Sequence, residues 1–329
     1  MQKILDCIDA GSAYCPCHLA ETGECIMCSQ LQGRTFCDCA NWKGVCIYHD
    51  FVSNRYRKRE QRESRSCRIL KRDEVSEGLV LFGIEVGKEM ARELNAPGTY
   101  VFMRDQASPA YYDTPMSIMT VEETEGTIIA AVQVRGVKTK ALGDLQEKVE
   151  IRGPYWNGLL GLKYIKGMRD SAALIIARGV GQAAVLPAAR KLIAGGNKVK
   201  IILDAGRNSH NFTEAYFQDL GCEVALKPLL SGKALEMPFE TASYIKETII
   251  QEQIGLVVSG GSEKLHQKVA GLLLTLEDKP FLACSNDAKF CCGEGICGSC
   301  HTRVEDGSRI KTCKTQLNPF SLYERRAQV

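Results

Sequence analysis

Short apolar runs separated by glycine- and proline-bearing turns fill the stretch from residue 67 to residue 158. Leu79–Val86, Gly98–Met103, Thr127–Val134 and Val149–Arg152 each read as a strand, punctuated by Pro97-Gly98, Glu125-Gly126 and Gly153-Pro154. Strands this short at this spacing predict an antiparallel barrel. From about residue 170 to 283 the rhythm changes. Apolar strands at Ala172–Ala177, Lys198–Leu203, Cys222–Leu226 and Leu256–Val258 alternate with helical stretches at Gln182–Ala194, around Thr241–Gln251 and at Glu263–Leu274. The first helix runs into Gly195-Gly196, a natural stop. Alternation of this kind predicts a doubly wound parallel sheet. Neither end of the chain shows long apolar periodicity, and there is no internal repeat or low-complexity tract.

Composition sets outer limits. The 329 residues amount to about two domains, and 45% of them are hydrophobic, enough for ordinary cores. A net charge of +3 gives little reason to expect a nucleic-acid partner. No run of 18 apolar residues marks a membrane span, and Met1–Cys7 lacks a signal-like apolar stretch. A cytoplasmic location without membrane contact is the expectation.

The 16 cysteines change the picture. Eight fall between Cys7 and Cys46, six between Cys284 and Cys313, and only Cys67 and Cys222 lie between. Clumps at short spacings in a reducing compartment point to metal ligation rather than disulfides. Four regions follow: a cysteine-rich metal-binding segment with a basic linker (1–66), the barrel (67–158), the α/β domain (159–283) and a C-terminal cluster domain (284–329). The basic stretch from Arg55 to Arg72 reads as a solvated helix or linker, or as a docking surface for an acidic partner.

The sharpest motif is Cys292-Gly-Glu-Gly-Ile-Cys297-Gly-Ser-Cys300 followed by Cys313. C-x4-C-x2-C with a distant fourth cysteine is the spacing of plant-type 2Fe–2S sites. Three thiolates converge from one tight loop, and Gly293, Gly295 and Gly298 let its amides approach the inorganic sulfides. Four cysteines alone would also permit zinc, although zinc loops usually show two C-x2-C pairs. Cys291 reads as a packed thiol beside the first ligand.

From about residue 67 onward the chain resembles the electron-transfer subunit of dihydroorotate dehydrogenase B and the sulfide-dehydrogenase-like subunits of electron-bifurcating transhydrogenases, within the ferredoxin–NADP reductase superfamily. That resemblance implies an FAD-binding barrel, a pyridine-nucleotide domain and a terminal 2Fe–2S loop, in this order. Thr114-Pro115-Met116-Ser117 stands where the family has Arg-Pro-x-Ser against FAD, with threonine in place of the arginine; Arg104 or Arg135 are candidates to supply the missing charge. Gly136-Val-Lys-Thr139-Lys-Ala-Leu142 resembles the Gly-x-x-Thr-x-x-Leu element whose helix N-terminus faces the flavin pyrophosphate. Gly153-Pro154-Tyr155-Trp156-Asn157-Gly158 resembles Gly-Pro-x-Gly-x-Gly, with Trp156 crowding that corner. Gly179 and Gly181, in Ala177-Arg178-Gly179-Val180-Gly181, occupy the NAD(P) loop. Arg178 intrudes there, and Ser259-Gly260-Gly261 replaces the family's Cys-Gly-Pro. These departures imply that flavin binds while the nucleotide half is partly relic.

The N-terminal candidates are Cys15, Cys17, Cys25, Cys28, Cys37, Cys39 and Cys46, with Cys7, His18 and His49 nearby. So short a segment needs metal to fold. A 4Fe–4S cluster, zinc and redox-active thiols are the open choices, and eight thiolates would serve two four-ligand centres. Removal of the segment is expected to leave the C-terminal site intact. The reading that unites these features is an electron-transfer subunit of a multi-subunit NAD(P)- and flavin-dependent oxidoreductase, relaying electrons between FAD, iron–sulfur clusters and a catalytic partner. A non-catalytic scaffold and a self-sufficient NAD(P)H reductase are the alternatives.

Overall fold

A computed structural model of the chain describes residues 5–38 and 42–327, with residues 324–327 described by their backbone alone. Cys39, one of the candidate ligands, lies outside the described residues. The chain opens with a two-residue strand β1 (Asp6–Cys7) and the short helices α1 (His18–Glu21) and α2 (Ile47–Ser53). Cys15, Ala20, Cys25, Leu31, Ile47 and Phe51 form a small core cluster there, in keeping with the shortage of apolar periodicity.

A closed antiparallel barrel follows. Its strands are β2 (Ser64–Ser76), β3 (Leu79–Glu85), β4 (Tyr100–Arg104), β5 (Thr114–Glu122), β6 (Thr127–Gln133) and β7 (Lys148–Tyr155), in the spatial order β2-β3-β6-β5-β4-β7. The helices α3 (Lys88–Leu94) and α4 (Val137–Gly143) lie in its connections. Val80, Phe82 and Ile84 on β3 fill the barrel. Leu79 and Leu81 face outward and join the core of the next domain, along with Met119 and Ala131. Burial on both faces explains why β3 reads as one continuous apolar run. The longest strand, β2, is camouflaged by charge: Arg68 and Lys71 face outward and Arg65 is exposed near the strand's start, while Cys67 and Ile69 turn into the barrel. The basic stretch is therefore half irregular chain and half barrel strand. β7 runs through Gly153-Pro154, a cis peptide, so that dipeptide sits inside a strand where a turn was expected.

The second domain is a six-stranded sheet in the order β11-β10-β9-β12-β13-β8. Its members are β8 (Leu159–Leu160), β9 (Ala172–Arg178), β10 (Lys198–Asp204), β11 (Glu223–Leu226), β12 (Leu256–Gly260) and β13 (Phe281–Ser285). All are parallel except β8. Its helices are α5 (Leu162–Gly167), α6 (Gly181–Ala194), α7 (Glu214–Asp219), α8 (Phe239–Gln251) and α9 (Glu263–Leu273). A loop leaves β13 and leads into the hairpin β14 (His301–Arg303) and β15 (Arg309–Lys311), then β16 (Thr315–Gln316) and α10 (Phe320–Ala327). β16 pairs antiparallel with β1, so the two cysteine-rich ends of the chain meet. Among the described residues no helix is long and apolar enough to cross a membrane.

Candidate redox site

The C-terminal loop lies against the outer wall of the barrel at β4 and β7, over an aromatic floor of Tyr100, Phe102, Tyr155 and Phe290. Tyr100 stacks on Tyr155 at 5.1 Å and on Phe290 at 5.2 Å. Gly293 rests on this floor: its φ is +71°, and a Cβ there would come within 2.6 Å of the Tyr155 ring. Only glycine satisfies both demands. Arg152, unsuspected from the sequence, pins the loop to β7. Its guanidinium donates to the Cys292 carbonyl at 3.0 Å, pairs with Asp113 at 2.8 Å and lies over the Phe102 ring.

The sulfurs of this loop come together in pairs. The amides of Glu294 and Cys297 donate to Cys292 Sγ at 3.3 and 3.4 Å, and the Cys297 thiol interacts with that of Cys292. Thr312 donates to the Cys300 carbonyl through its amide (3.3 Å) and its hydroxyl (3.1 Å), which brings Cys313 against Cys300. The bond from the Cys313 thiol holds Cys300 down, to about 6, and pushes Cys313 up. Burial pushes the Cys297 thiol up, but bonds from Ser299 and Cys292 outweigh it and bring it down to about 7. Among the described residues no group of three or more His, Cys, Asp or Glu side chains is placed to hold a metal ion. Two sulfur pairs with amides aimed at one of them suit a binuclear cluster, in which each iron takes two thiolates. Cys291 is exposed, with its thiol against Cys297, and so is not the packed thiol expected.

The flavin motif on β5 shares that outer wall, its Pro115 and Ser117 paired with Phe102 and Tyr100. Pro115 and Ser117 on β5 are half-buried, while Met116 turns into the barrel core, away from any ligand outside it. Thr114 is half-buried and its hydroxyl bonds to the Tyr112 carbonyl. Gly136 caps α4, and Thr139 Oγ1 accepts from the amides of Arg135 (2.8 Å) and Gly136 (3.0 Å). No atom lies within 4 Å of where a Gly136 Cβ would sit, so space is open at this helix end. Lys138 donates to the Tyr111 carbonyl and lies within electrostatic reach of Cys291, which places the α4 end beside the cysteine loop. Arg104 is held by Asp113 at 2.8 Å and by Glu150 at 3.7 Å, so its charge is already matched. Arg135 is exposed. Trp156 does not crowd a flavin corner: it packs on Tyr14 at 5.9 Å and donates to the Glu93 carbonyl.

The nucleotide loop is differently spent. Gly179 has φ +58°, but a Cβ on Gly181 would lie 2.5 Å from Gly261. Gly181 therefore serves helix–strand packing. Arg178 Nε donates to Asp204 Oδ2 at 2.8 Å. The same carboxylate accepts the amides of Leu229 and Gly206, both at 2.8 Å. An acid at the end of the second strand is the group that takes the ribose in dinucleotide folds, and here its oxygens are occupied internally. Behind the loop, buried His266 bridges Ser259 (2.8 Å) and Ser285 (3.0 Å), and burial lowers it to about 4.

The N-terminal segment is fastened to the cysteine loop by four buried charges. Arg62 pairs with Asp9 at 3.1 Å and with Glu294 at 3.3 Å; Lys314 pairs with Asp9 and, at 2.9 Å, with Glu294. Tyr14, Tyr155 and Trp156 enclose the Arg62 guanidinium. Arg62 is thus no linker residue in solvent. Glu294 stands inside the cluster motif and Lys314 follows its fourth cysteine, so removing Asp9 with the segment would leave an unmatched buried cation. The expectation that the C-terminal site survives deletion of the segment thus has these buried ion pairs against it. Of the segment's cysteines, Cys15, Cys17 and Cys25 are buried, Cys7 and Cys28 half-buried, and Cys37 and Cys46 exposed.

The sequence matches no protein-family model. Among solved structures, the chain is similar to an NADH-dependent reduced ferredoxin-NADP oxidoreductase studied for flavin-based electron bifurcation. The two share 18% identity at a TM-score of 0.62, over 80% of this chain and 93% of that one. It is also similar to the CS-b5R domains of human Ncb5or in its NAD+ form, at 16% identity and TM-score 0.50 over 69% of this chain and 70% of that one. An intact type IV self-sufficient cytochrome P450 monooxygenase matches at 16% identity and TM-score 0.52, over 77% of this chain and 40% of its own. At such identities the shared property is the fold, a closed antiparallel barrel followed by a parallel-sheet domain.

Proposed function

We propose that this chain is an electron-transfer subunit of a flavin-dependent oxidoreductase complex, with FAD on the outer face of the barrel beside β5 and α4 and a 2Fe–2S cluster on Cys292, Cys297, Cys300 and Cys313. The observation that carries the reading is the paired arrangement of those four sulfurs on a loop clamped to the outer wall of the barrel. A flavin and a 2Fe–2S cluster would together supply exchange between two-electron and one-electron carriers. The protein's own part is placement. Arg152 and the aromatic floor hold the loop and shield its inner side from water, and the amides on Cys292 favour a ligated thiolate. The open α4 end, with Thr139 ordering its first turn, receives the flavin pyrophosphate, and Pro115 and Ser117 present the adjacent strand.

The solved relatives are described as flavin-bifurcating, ferredoxin- and NAD-linked proteins, which agrees with this chemistry. The Arg178–Asp204 pair favours electrons arriving from a partner subunit over direct reduction by NAD(P)H, and so speaks against a self-sufficient reductase. Anaerobic purification of the full chain with its partners, followed by flavin, iron, sulfide and zinc analysis, tests the proposal. Flavin with iron and acid-labile sulfide is expected; a colourless, zinc-bearing protein would defeat it.

A further inference from the structure

We infer that the exposed cationic segment Arg55–Arg59 is a docking site for a carboxylate-rich surface of the partner subunit. This deepens the proposed function by naming the partner's chemistry, and it rests on that function for the partner's existence.

The segment is held in shape. It leaves α2 at Asn54, and Arg55 and Tyr56 then both take a left-handed backbone, each with φ +58°. Two side chains in succession carry strain there that glycine would avoid. The surroundings enforce the turn. The Arg55 amide donates to the Val52 carbonyl and the Tyr56 amide to that of Phe51, both at 2.9 Å. Asn54 Nδ2 donates to the carbonyls of Arg57 (2.8 Å) and Lys58 (3.1 Å). The Lys58 amide donates to Glu21 on α1, and the Arg59 amide to the Pro16 carbonyl, both at 2.9 Å. Backbone polar groups are thus satisfied inward while the side chains stay outside.

Those side chains are spare to the fold. Arg55, Tyr56, Arg57 and Arg59 are exposed, and Lys58 is half-buried. Asp50 stands 3.9 Å from Arg59; among the described residues no carboxylate comes within 4 Å of the charged groups of Arg55, Arg57 or Lys58. Strain kept beside unpaired charge points to a ligand outside the chain, and a surface already rigid loses little freedom when it binds.

Protein carboxylates fit this surface best. Three of the four cations are arginines, whose planar fork takes a carboxylate through two bonds. Tyr56 lies among them, 61% exposed and edge-on to Phe51 at 5.9 Å, an aromatic of the kind enriched in protein interfaces. A single-stranded nucleic acid would call for several stacking rings along a charged groove, and a lipid surface for an amphipathic helix with an apolar face; this segment has one ring and no helix. Its position also suits electron exchange. Arg62, three residues beyond Arg59, pairs with Glu294 inside the cysteine motif, and three extended residues span at most about 11 Å.

The test uses the full chain purified anaerobically with its bound subunit and treated with a water-soluble carbodiimide, which joins carboxylates directly to lysine amines. Mass spectrometry should find Lys58 joined to an aspartate or glutamate of the subunit. The variant Arg55→Gln/Arg57→Gln/Arg59→Gln should bind that subunit about tenfold more weakly, and wild-type binding should weaken with rising salt, while flavin content and thermal midpoint stay as in the wild type. Arg55→Gly, which relieves the backbone, should melt no lower than wild type and still bind more weakly. Unaltered binding in the triple variant, no cross-link at Lys58, a lower melting point in Arg55→Gly, or a chain that purifies without a subunit would overturn the inference. So would a DNA duplex or phosphatidylglycerol vesicles held by these arginines more tightly than the subunit. A colourless chain that still binds its subunit through Lys58 would defeat the proposed function and uphold this inference. Flavin and iron in a chain whose subunit ignores the arginines would do the reverse.

Discussion

Asp9→Asn tests whether the two cysteine-rich ends are joined by charge. The carboxylate of Asp9 is buried and meets two cations, Arg62 and Lys314, while facing one anion, Glu294. A unit pair about 4 Å apart is worth about 4 kcal/mol at an effective dielectric near 20. Two attractions less one repulsion leave roughly one such unit, in line with the ~3–5 kcal/mol seen when one partner of a buried pair is removed. Urea unfolding of the full chain, followed by tryptophan fluorescence, should show that loss, because Trp156 sits beside Arg62. The double variant Asp9→Asn/Lys314→Met removes one charge of each sign and should cost less than the two single changes added. The wild-type contribution also has a pH signature. Asp9 is held below its ordinary 3.8, because Lys314 and Arg62 outweigh its burial, so this stability is present above pH 3.8 and fades as pH falls below it. A loss under about 1 kcal/mol, with additive single and double variants, would refute the reasoning.

Gly136→Trp should lower flavin content in the purified protein with little loss of stability, since its φ is −127° and nothing lies within 4 Å of the added Cβ. Unchanged flavin would move the ligand away from α4. Arg178→Gly should strip Asp204 of its ion pair, leaving only the amides of Gly206 and Leu229 on its oxygens, and tighten NADH binding about tenfold, about 1.4 kcal/mol, in a fluorescence titration; unaltered binding would show that the ion pair is not what limits the loop. His266, lowered from 6.5 to about 4 by burial, contributes stability that is whole above pH 6.5 and lost as pH falls toward 4, by about 3 kcal/mol at most. His266→Gln should flatten that part of the stability curve, and an identical slope in the variant would assign it to other groups.

The fold was legible wherever one face of an element meets a core. Val80, Phe82 and Ile84 announce β3, and the strands from Ala172 to Leu256 alternate with amphipathic helices. β2 escaped because exposed Arg65, Arg68 and Lys71 surround its two core-facing residues, Cys67 and Ile69. The cysteine motif was legible from spacing alone, since a tight loop must carry its ligands at fixed intervals. What holds that loop was not. Arg152, Asp9, Arg62 and Lys314 come from four distant places in the chain, and no local pattern marks an ion pair whose partners are 53 or 305 residues apart. Trp156 was misread for a related reason: its contact, Tyr14, lies in the segment that the resemblance does not cover. Gly181 shows the reverse, a motif glycine whose space is taken by Gly261.

The central claim is that Cys292, Cys297, Cys300 and Cys313 carry a 2Fe–2S cluster. Cys297 is the ligand to change, because it is exposed and its loss costs the core little. The decisive measurement is EPR of the reduced, anaerobically purified full chain beside its Cys297→Ser variant, with iron and sulfide determined on both. The account predicts a 2Fe–2S signal in the wild type that disappears or changes sharply in the variant. An identical spectrum in both, or a wild type with neither acid-labile sulfide nor a 2Fe–2S signal, would contradict it.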